Sequence, residues 1–212
     1  MATAVAQPAA ATAPMASSPA NLAPLDPFDA DIVACIKRDH EAFRDVQRSI
    51  DAAAFLSPNE RATCVADLVR LVVRHSMAEE VVLYPLARQC VGPDATDREL
   101  DDHKRLRAEL SALSASWSGD PALDAKLARL WRTLSDHMAE EEGVLLPLLA
   151  RHTTRERRVT AGRLFAAAHL AAPTRPHPLA PMGPPLNVLA SALAGPLDWI
   201  ADMWRFSCAP PL

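Results

Sequence analysis

The sequence predicts an all-α protein: an up-and-down antiparallel four-helix bundle with a C-terminal helical extension. Three observations carry that prediction. Glycine is scarce, 6 in 212 residues, while alanine and leucine are abundant, a balance that favours helix over sheet. Most of the 19 prolines lie before Phe28 or after Ala172, outside the middle of the chain. Within that middle, apolar residues recur at helical spacing in four long segments.

The chain divides into an Ala/Pro-rich arm over residues 1–27, expected to be disordered, a bundle over 28–152, an accessory helix over 153–172, a Pro-rich linker over 173–185 and an amphipathic segment over 186–212. In the bundle, the first helix runs from Asp31 to Ala53, with Ile32, Cys35, Ile36, Phe43, Val46 and Ile50 on one stripe. The second opens at Ser57-Pro58-Asn59-Glu60, where Ser57 is an N-cap, Pro58 occupies the first turn and Glu60 completes a capping box. It runs to Cys90, and Gly92-Pro93 breaks the chain. The third opens with Thr96 and Glu99 as a second capping box and runs to Trp117. The fourth starts at Asp120 and Pro121 and reaches His152, with Pro85 and Pro147 expected to kink or end their helices. Short connections between helices of this length imply antiparallel neighbours. Thr153 and Glu156 suggest a further cap for the accessory helix. Near the C-terminus, Leu189, Leu193, Leu197, Ile200 and Trp204 form a stripe suited to packing either on the bundle or, in a homodimer, on a second copy.

Composition also bounds the function. A net charge of −4 and a pI near 6.0 give no pull toward nucleic acid or anionic membrane. No run of apolar residues is long enough to span a bilayer. Cys35, Cys64, Cys90 and Cys208 show no Cys-x-x-Cys spacing, and the start lacks the pattern of a signal peptide, so a cytoplasmic setting with free thiols is expected.

The chemistry lies in a repeat. His-Ser-Met-Ala-Glu-Glu-Val-Val-Leu-Tyr-Pro at positions 75–85 recurs as His-Met-Ala-Glu-Glu-Glu-Gly-Val-Leu-Leu-Pro at 137–147, identical at six of eleven positions. The first and third helices each add one histidine, His40 and His103, separated by almost the same interval as His75 and His137. The helices therefore contribute His40, then His75 with Glu79, then His103, then His137 with Glu141. Residues four apart share a helix face, so each His/Glu pair points at one spot. Facing helices lie about 8–10 Å apart, which leaves room for two metal ions in the bundle axis. Without metal, four imidazoles and two carboxylates at one level would leave buried charge unpaired. Glu80 and Glu142 sit about 100° around the helix from their neighbours and are expected to be solvated or to support a ligand from behind. Asp39, Asp102 and Asp136 are expected to face solvent, as is Glu140, while His152, His169 and His177 fall outside the cluster.

These residues resemble the hemerythrin-like, or HHE cation-binding, domain family across residues 28–152. The order His, His-x-x-x-Glu, His, His-x-x-x-Glu is similar to that family, the Glu-Glu-x-x-Leu-x-Pro continuation adds to it, and the Thr-Arg-Pro-His-Pro tail is similar to bacterial members. The resemblance implies a non-haem centre of two Fe ions, oxo- or hydroxo-bridged, with His40, His75, His103 and His137 terminal and Glu79 and Glu141 bridging. Imidazole and carboxylate donors suit iron, with manganese or zinc less favoured. Oxygen-carrying hemerythrins have a fifth histidine where this chain has Arg107, and a carboxylate five residues after the last histidine, where the repeat favours Glu141 over Glu142. Simple reversible oxygen carriage is therefore disfavoured. The expected partner is a small diatomic or peroxide ligand, that is dioxygen, peroxide or nitric oxide, bound for sensing, detoxification or iron handling. The alternatives are a catalase-like enzyme that consumes peroxide, and an interaction module gated by metal through the C-terminal segment. Val82, Leu83, Val144, Leu145 and Leu148 are expected to limit water access.

Overall fold

A computed structural model describes residues 30–52, 57–116, 119–173 and 175–176. The arm, most of the linker, the C-terminal segment, Trp117, His177 and Cys208 lie outside the described residues. Those described form helices α1 (Ile32–Ala52), α2 (Pro58–Ala78), α3 (Tyr84–Cys90), α4 (Asp94–Ser114), α5 (Leu123–Glu140), α6 (Leu146–His152) and α7 (Arg155–Ala171). A π turn, Glu79–Leu83, joins α2 to α3 without a break, and another, Glu141–Leu145, joins α5 to α6. Four rods result, closed by α7, and no strand occurs among the described residues. In the bundle α1 packs on α2, α2 on α4 and α4 on α5, while α7 lies across α1, α2 and the first π turn.

The start of α2 follows from its sequence. Ser57 Oγ accepts from Glu60 N–H, and the Glu60 carboxylate accepts from Ser57 N–H at 2.9 Å. The reciprocal pair satisfies two backbone donors that a helix start leaves open. Ser57→Ala is expected to destabilise the bundle by about 1 kcal/mol, with Ser57→Asp close to wild type. Urea melts of the two variants check this; an unshifted Ser57→Ala midpoint would mean that the cap contributes nothing.

Three helix starts differ from the sequence expectation. α4 begins at Asp94 behind Pro93, so Thr96 is no cap; its hydroxyl donates to Pro93 O at 3.1 Å, and Glu99 turns inward. α5 begins at Leu123; Asp120 instead caps the preceding turn, accepting from Ala122 N–H at 2.8 Å. α7 is capped by Thr154, which accepts from Arg157 N–H, and not by Thr153.

The prolines do not end their rods. Pro85 and Pro147 lie in the first turn of α3 and α6, and each follows a π turn directly. A proline inside an α-helix lacks the donor and strikes the carbonyl four residues back. A turn widened by one residue relieves that clash and lets the rod continue.

Two apolar clusters fill the bundle. One holds Phe43, Val46, Leu68, Val72, Leu106, Leu110, Leu130 and Leu134 among others. The other is built around Ile32, Ile36, Leu83, Tyr84, Leu145, Leu146, Leu149 and Phe165. Along α1, His40 falls between residues of the two clusters, as do His75 on the α2 rod and His103 on α4. The polar residues thus form a layer enclosed by apolar side chains on both sides.

Candidate metal centre

His40, His75, His103, His137, Glu79 and Glu141 come together in that layer, each 2 % exposed or less. Glu79 Oε1 stands 2.9 Å from His75 Nε2, the pair spaced four residues apart, while Oε2 stands 3.3 Å from His103 Nε2 and 3.9 Å from His137 Nε2. Glu141 Oε2 lies 3.4 Å from His40 Nε2 and 3.8 Å from His137 Nε2. Each carboxylate therefore spans imidazoles of different helices. His40, His75, Glu79 and Glu141 form one set of donors and Glu79, His103 and His137 another, with the donor atoms of each set within 4.8 Å of one another.

Every Nε2 faces inward because each Nδ1 faces a carboxylate behind it. Nδ1 of His40 pairs with Glu142 at 2.8 Å, that of His75 with Asp39 at 3.1 Å, that of His103 with Glu80 at 3.1 Å and that of His137 with Glu99 at 2.9 Å. For His40, His75 and His103 the contact is a hydrogen bond, which fixes the tautomer and leaves the Nε2 lone pair for a metal, whereas Glu99 meets His137 Nδ1 as an ion pair without hydrogen-bond geometry. The outer carboxylates have supports of their own: Arg44 donates to Glu142 at 2.8 Å and Arg107 to Glu80 at 3.0 Å. Arg107 thus holds the carboxylate that stands behind His103.

The support was only partly foreseen. Glu80 and Glu142, expected to be solvated or to stand behind a ligand, lie against Nδ1 of His103 and His40, one buried and one partly so. Asp39 does not face solvent: preceding His40 on α1, it reaches across to His75 on α2. Asp102, its counterpart in the repeat, pairs with Arg105 at 3.1 Å, and Glu99 serves His137 instead. Asp136 is exposed and Glu140 sits at the surface near Arg98. His169, expected to stay apart, approaches Asp39 Oδ2 at 3.7 Å from α7. Burial depresses the His169 pKa to about 4 despite Asp39, so a neutral ring closes that chain of contacts.

Tyr84 is the residue that sequence reasoning missed altogether. Its hydroxyl is buried 2.8 Å from His103 Nε2 and 3.1 Å from Glu141 Oε1. Tyr84 is five positions after Glu79, a step that would turn its side chain about 140° away on a regular α-helix. In the first π turn, Tyr84 N–H bonds to Glu79 O, so the wider turn brings residue 84 back over residue 79. The same turn in the second repeat brings in Leu146, which is fully buried, as are Leu83 and Leu145, while Val144 is 46 % exposed and closes nothing. Val82 and Leu148, also expected to limit water access, are partly buried.

Electrostatics shows what the cluster lacks. Burial opposes charge on Glu79, yet His75, His103 and His137 hold its carboxyl well below the usual range. Burial likewise opposes a proton on His75, but Glu79 and Asp39 outweigh it and lift its pKa to about 10. The carboxylates thus demand positive charge. Even so, Nε2 of His40 and His75, both oxygens of Glu79 and Oε2 of Glu141 have no hydrogen-bond partner. Buried, inward-facing donors without partners are costly as they stand, and a shared cation satisfies all of them. The residues fit a metal site.

The Hemerythrin HHE cation binding domain matches residues 28–149, more than half of the chain. The chain belongs to that hemerythrin family. It is 32% identical over 139 residues to an uncharacterized hemerythrin-like protein of Schizosaccharomyces pombe, a match covering 62% of this chain and 66% of the yeast protein. It is also 25% identical over 147 residues to a DNA nickase of Nostoc sp., covering 68% of this chain and 40% of the nickase. The chain therefore spans less than two thirds of the length of these relatives. No solved structure matches it. Family membership and the clustered His and Glu side chains together make this hemerythrin-like chain a metal-binding protein. No helix among the described residues is long and apolar enough to cross a membrane. The family match ends before α7, so the helix that closes the bundle beside His75 lies beyond the matched region.

Proposed function

We propose that the chain is a non-haem diiron protein that binds dioxygen, peroxide or nitric oxide for sensing, detoxification or iron handling. His40, His75, Glu79 and Glu141 hold one iron on this reading, and His103, His137, Glu79 and Glu141 the other. The observation that carries it is the set of inward-facing imidazole nitrogens and carboxylate oxygens without hydrogen-bond partners between two apolar clusters. Iron suits an all-imidazole and carboxylate donor set with no thiolate; when bound, it would supply Lewis acidity and electrons to a small oxygen- or nitrogen-containing ligand.

The protein's own residues do the rest. Asp39, Glu80, Glu99 and Glu142 hold the four rings in one orientation, and Arg44 and Arg107 keep two of those carboxylates in place. Leu83, Leu145 and Leu146 keep bulk water out, which favours small uncharged or singly charged ligands over large substrates.

Elemental analysis with an aerobic ultraviolet-visible spectrum tests the reading. Two irons per chain are expected, together with charge-transfer absorption of a bridged ferric pair. His75→Ala and Glu141→Ala should lose both signals while circular dichroism stays helical. Protein that takes up no iron under anaerobic ferrous reconstitution would overturn the proposal. If hydrogen peroxide gave oxygen with turnover from the loaded protein, the activity would be catalase-like.

A further inference from the structure

Helix α7 is apolar on two faces. Val159, Gly162 and Phe165 are buried on the side that packs against α1, α2 and the first π turn. On the other side Leu164, Ala167, Leu170 and Ala171 fall within about 60° of one line along the helix, at 100° per residue, and all four are exposed. Leu164 is 57 % exposed and Leu170 77 %; of the large apolar side chains exposed among the described residues, only Val144 lies elsewhere. A helix that is apolar all round is ordinarily covered on both sides, and α7 is covered on one.

The chain itself carries a cover of the right form. Leu189, Leu193, Leu197, Ile200 and Trp204 make a second stripe, whose helical length of about 22 Å approaches the roughly 25 Å of α7. Between the two lie residues 173–185, six of them proline. Extended at ~3.1 Å per residue, this linker reaches about 40 Å, enough to return the segment along the whole of α7. The first residues after α7 already follow the protein: Ala172 is extended at φ −67° and ψ 149°, Ala172 and Pro173 are buried, and Arg175 and Pro176 are half-buried. The charges agree in sign. α7 holds four arginines against Glu156, while residues 186–212 hold Asp198 and Asp202 against Arg205. A second copy of the chain would have to compete with the effective concentration that the tether sets, on the order of millimolar.

We infer that the outer face of α7, centred on Leu164 and Leu170, is the docking surface for the chain's own residues 186–206, which fold back on it as an amphipathic helix interrupted at Gly195-Pro196. The inner face of α7 carries Phe165 against His75, so the docked segment forms a second layer over that side of the centre. The docking is apolar burial between two stripes and holds with or without a bound metal.

Hydrogen exchange on the full chain tests this, with light scattering on the same samples. Residues 186–206 are expected to be protected in a monomer, at a level that does not change with protein concentration. Leu170→Glu alters a side chain that is 77 % exposed on the bundle, so α4 and α5 should keep their protection. The same variant should cut the protection of residues 186–206 by about tenfold or more, and Leu197→Glu should do likewise. Free exchange throughout residues 186–206 in the unaltered chain, or protection that survives Leu170→Glu, would overturn the inference. Protection that rises with concentration alongside a dimer would give the face to a second copy and overturn it as well. If a variant fails to fold, the unaltered sequence still decides the question through nuclear Overhauser contacts from the Leu164 and Leu170 methyl groups to the Trp204 indole. Measured in labelled chain diluted into unlabelled chain, their presence supports docking within one chain and their absence refutes it.

Discussion

On the diiron reading, Glu79→Ala is expected to abolish metal binding at both iron positions, a loss as large as that of Glu141→Ala. Glu79 is the residue whose two oxygens reach His75 on one side and His103 and His137 on the other. Its removal leaves either ion short of a donor and without the negative charge that offsets it. The neighbouring Glu80→Gln should act differently. Glu80 touches the ring of His103 from behind and is held by Arg107, so the amide weakens orientation and basicity without removing a donor. Loss of such a supporting group lowers metal affinity about 10–100-fold. Equilibrium dialysis followed by elemental analysis separates the two. Two irons retained by Glu79→Ala would refute the bridging role, and a complete loss in Glu80→Gln would move Glu80 into the donor set.

Much of this site can be read from the chain because its logic is local. The spacing of His75 to Glu79 and of His137 to Glu141 is one helical turn, and the repeat carries both pairs to the same depth. Four helices with short connections then bring His40 and His103 alongside, as found. What could not be read depends on contacts between helices or on a departure from α geometry. Asp39 lies next to His40 in sequence, and adjacent residues on a helix do not face each other; its partner, His75, is on another helix. Glu99 stands three residues after Thr96, which imitates a capping box, but α4 begins before Thr96 and sends the carboxylate inward to His137. Tyr84 was hidden by the period itself, since a regular helix would face it away and only the π turn returns it. The Glu-Glu-x-x-Leu-x-Pro motif held the clue. A proline that must sit in a continuing helix signals a widened turn, and a widened turn shifts the phase of everything after it.

Gly162→Val is expected to undock α7, with the largest loss of stability among the substitutions considered. A Cβ at residue 162 would stand 1.9 Å from Ala30 O and 3.1 Å from Ile32 N, both backbone atoms at the start of α1. Neither can rotate away, so the helix must shift as a body. Overpacking of this kind costs about 1–3 kcal/mol, which for a bundle of this size lowers Tm by roughly 2–12 °C. The effect should reach the centre because α7 carries Phe165, whose ring meets His75 edge-on at 5.9 Å, and His169, whose carbonyl accepts from Arg74 at 2.8 Å. Arg158 ties the start of α7 to Asp31 at 2.7 Å and to Thr153 O at 2.9 Å, so the N-terminal end should stay attached while the remainder lifts. Hydrogen exchange checks this directly. Amides of Val159–Ala171 should lose protection well before those of α4 and α5, and a bound metal should exchange faster with a chelator. An unchanged melting temperature with full protection of α7 would mean that the close approach of Gly162 to Ala30 is relieved without consequence, and that α7 is not a cover for the His75 side of the site.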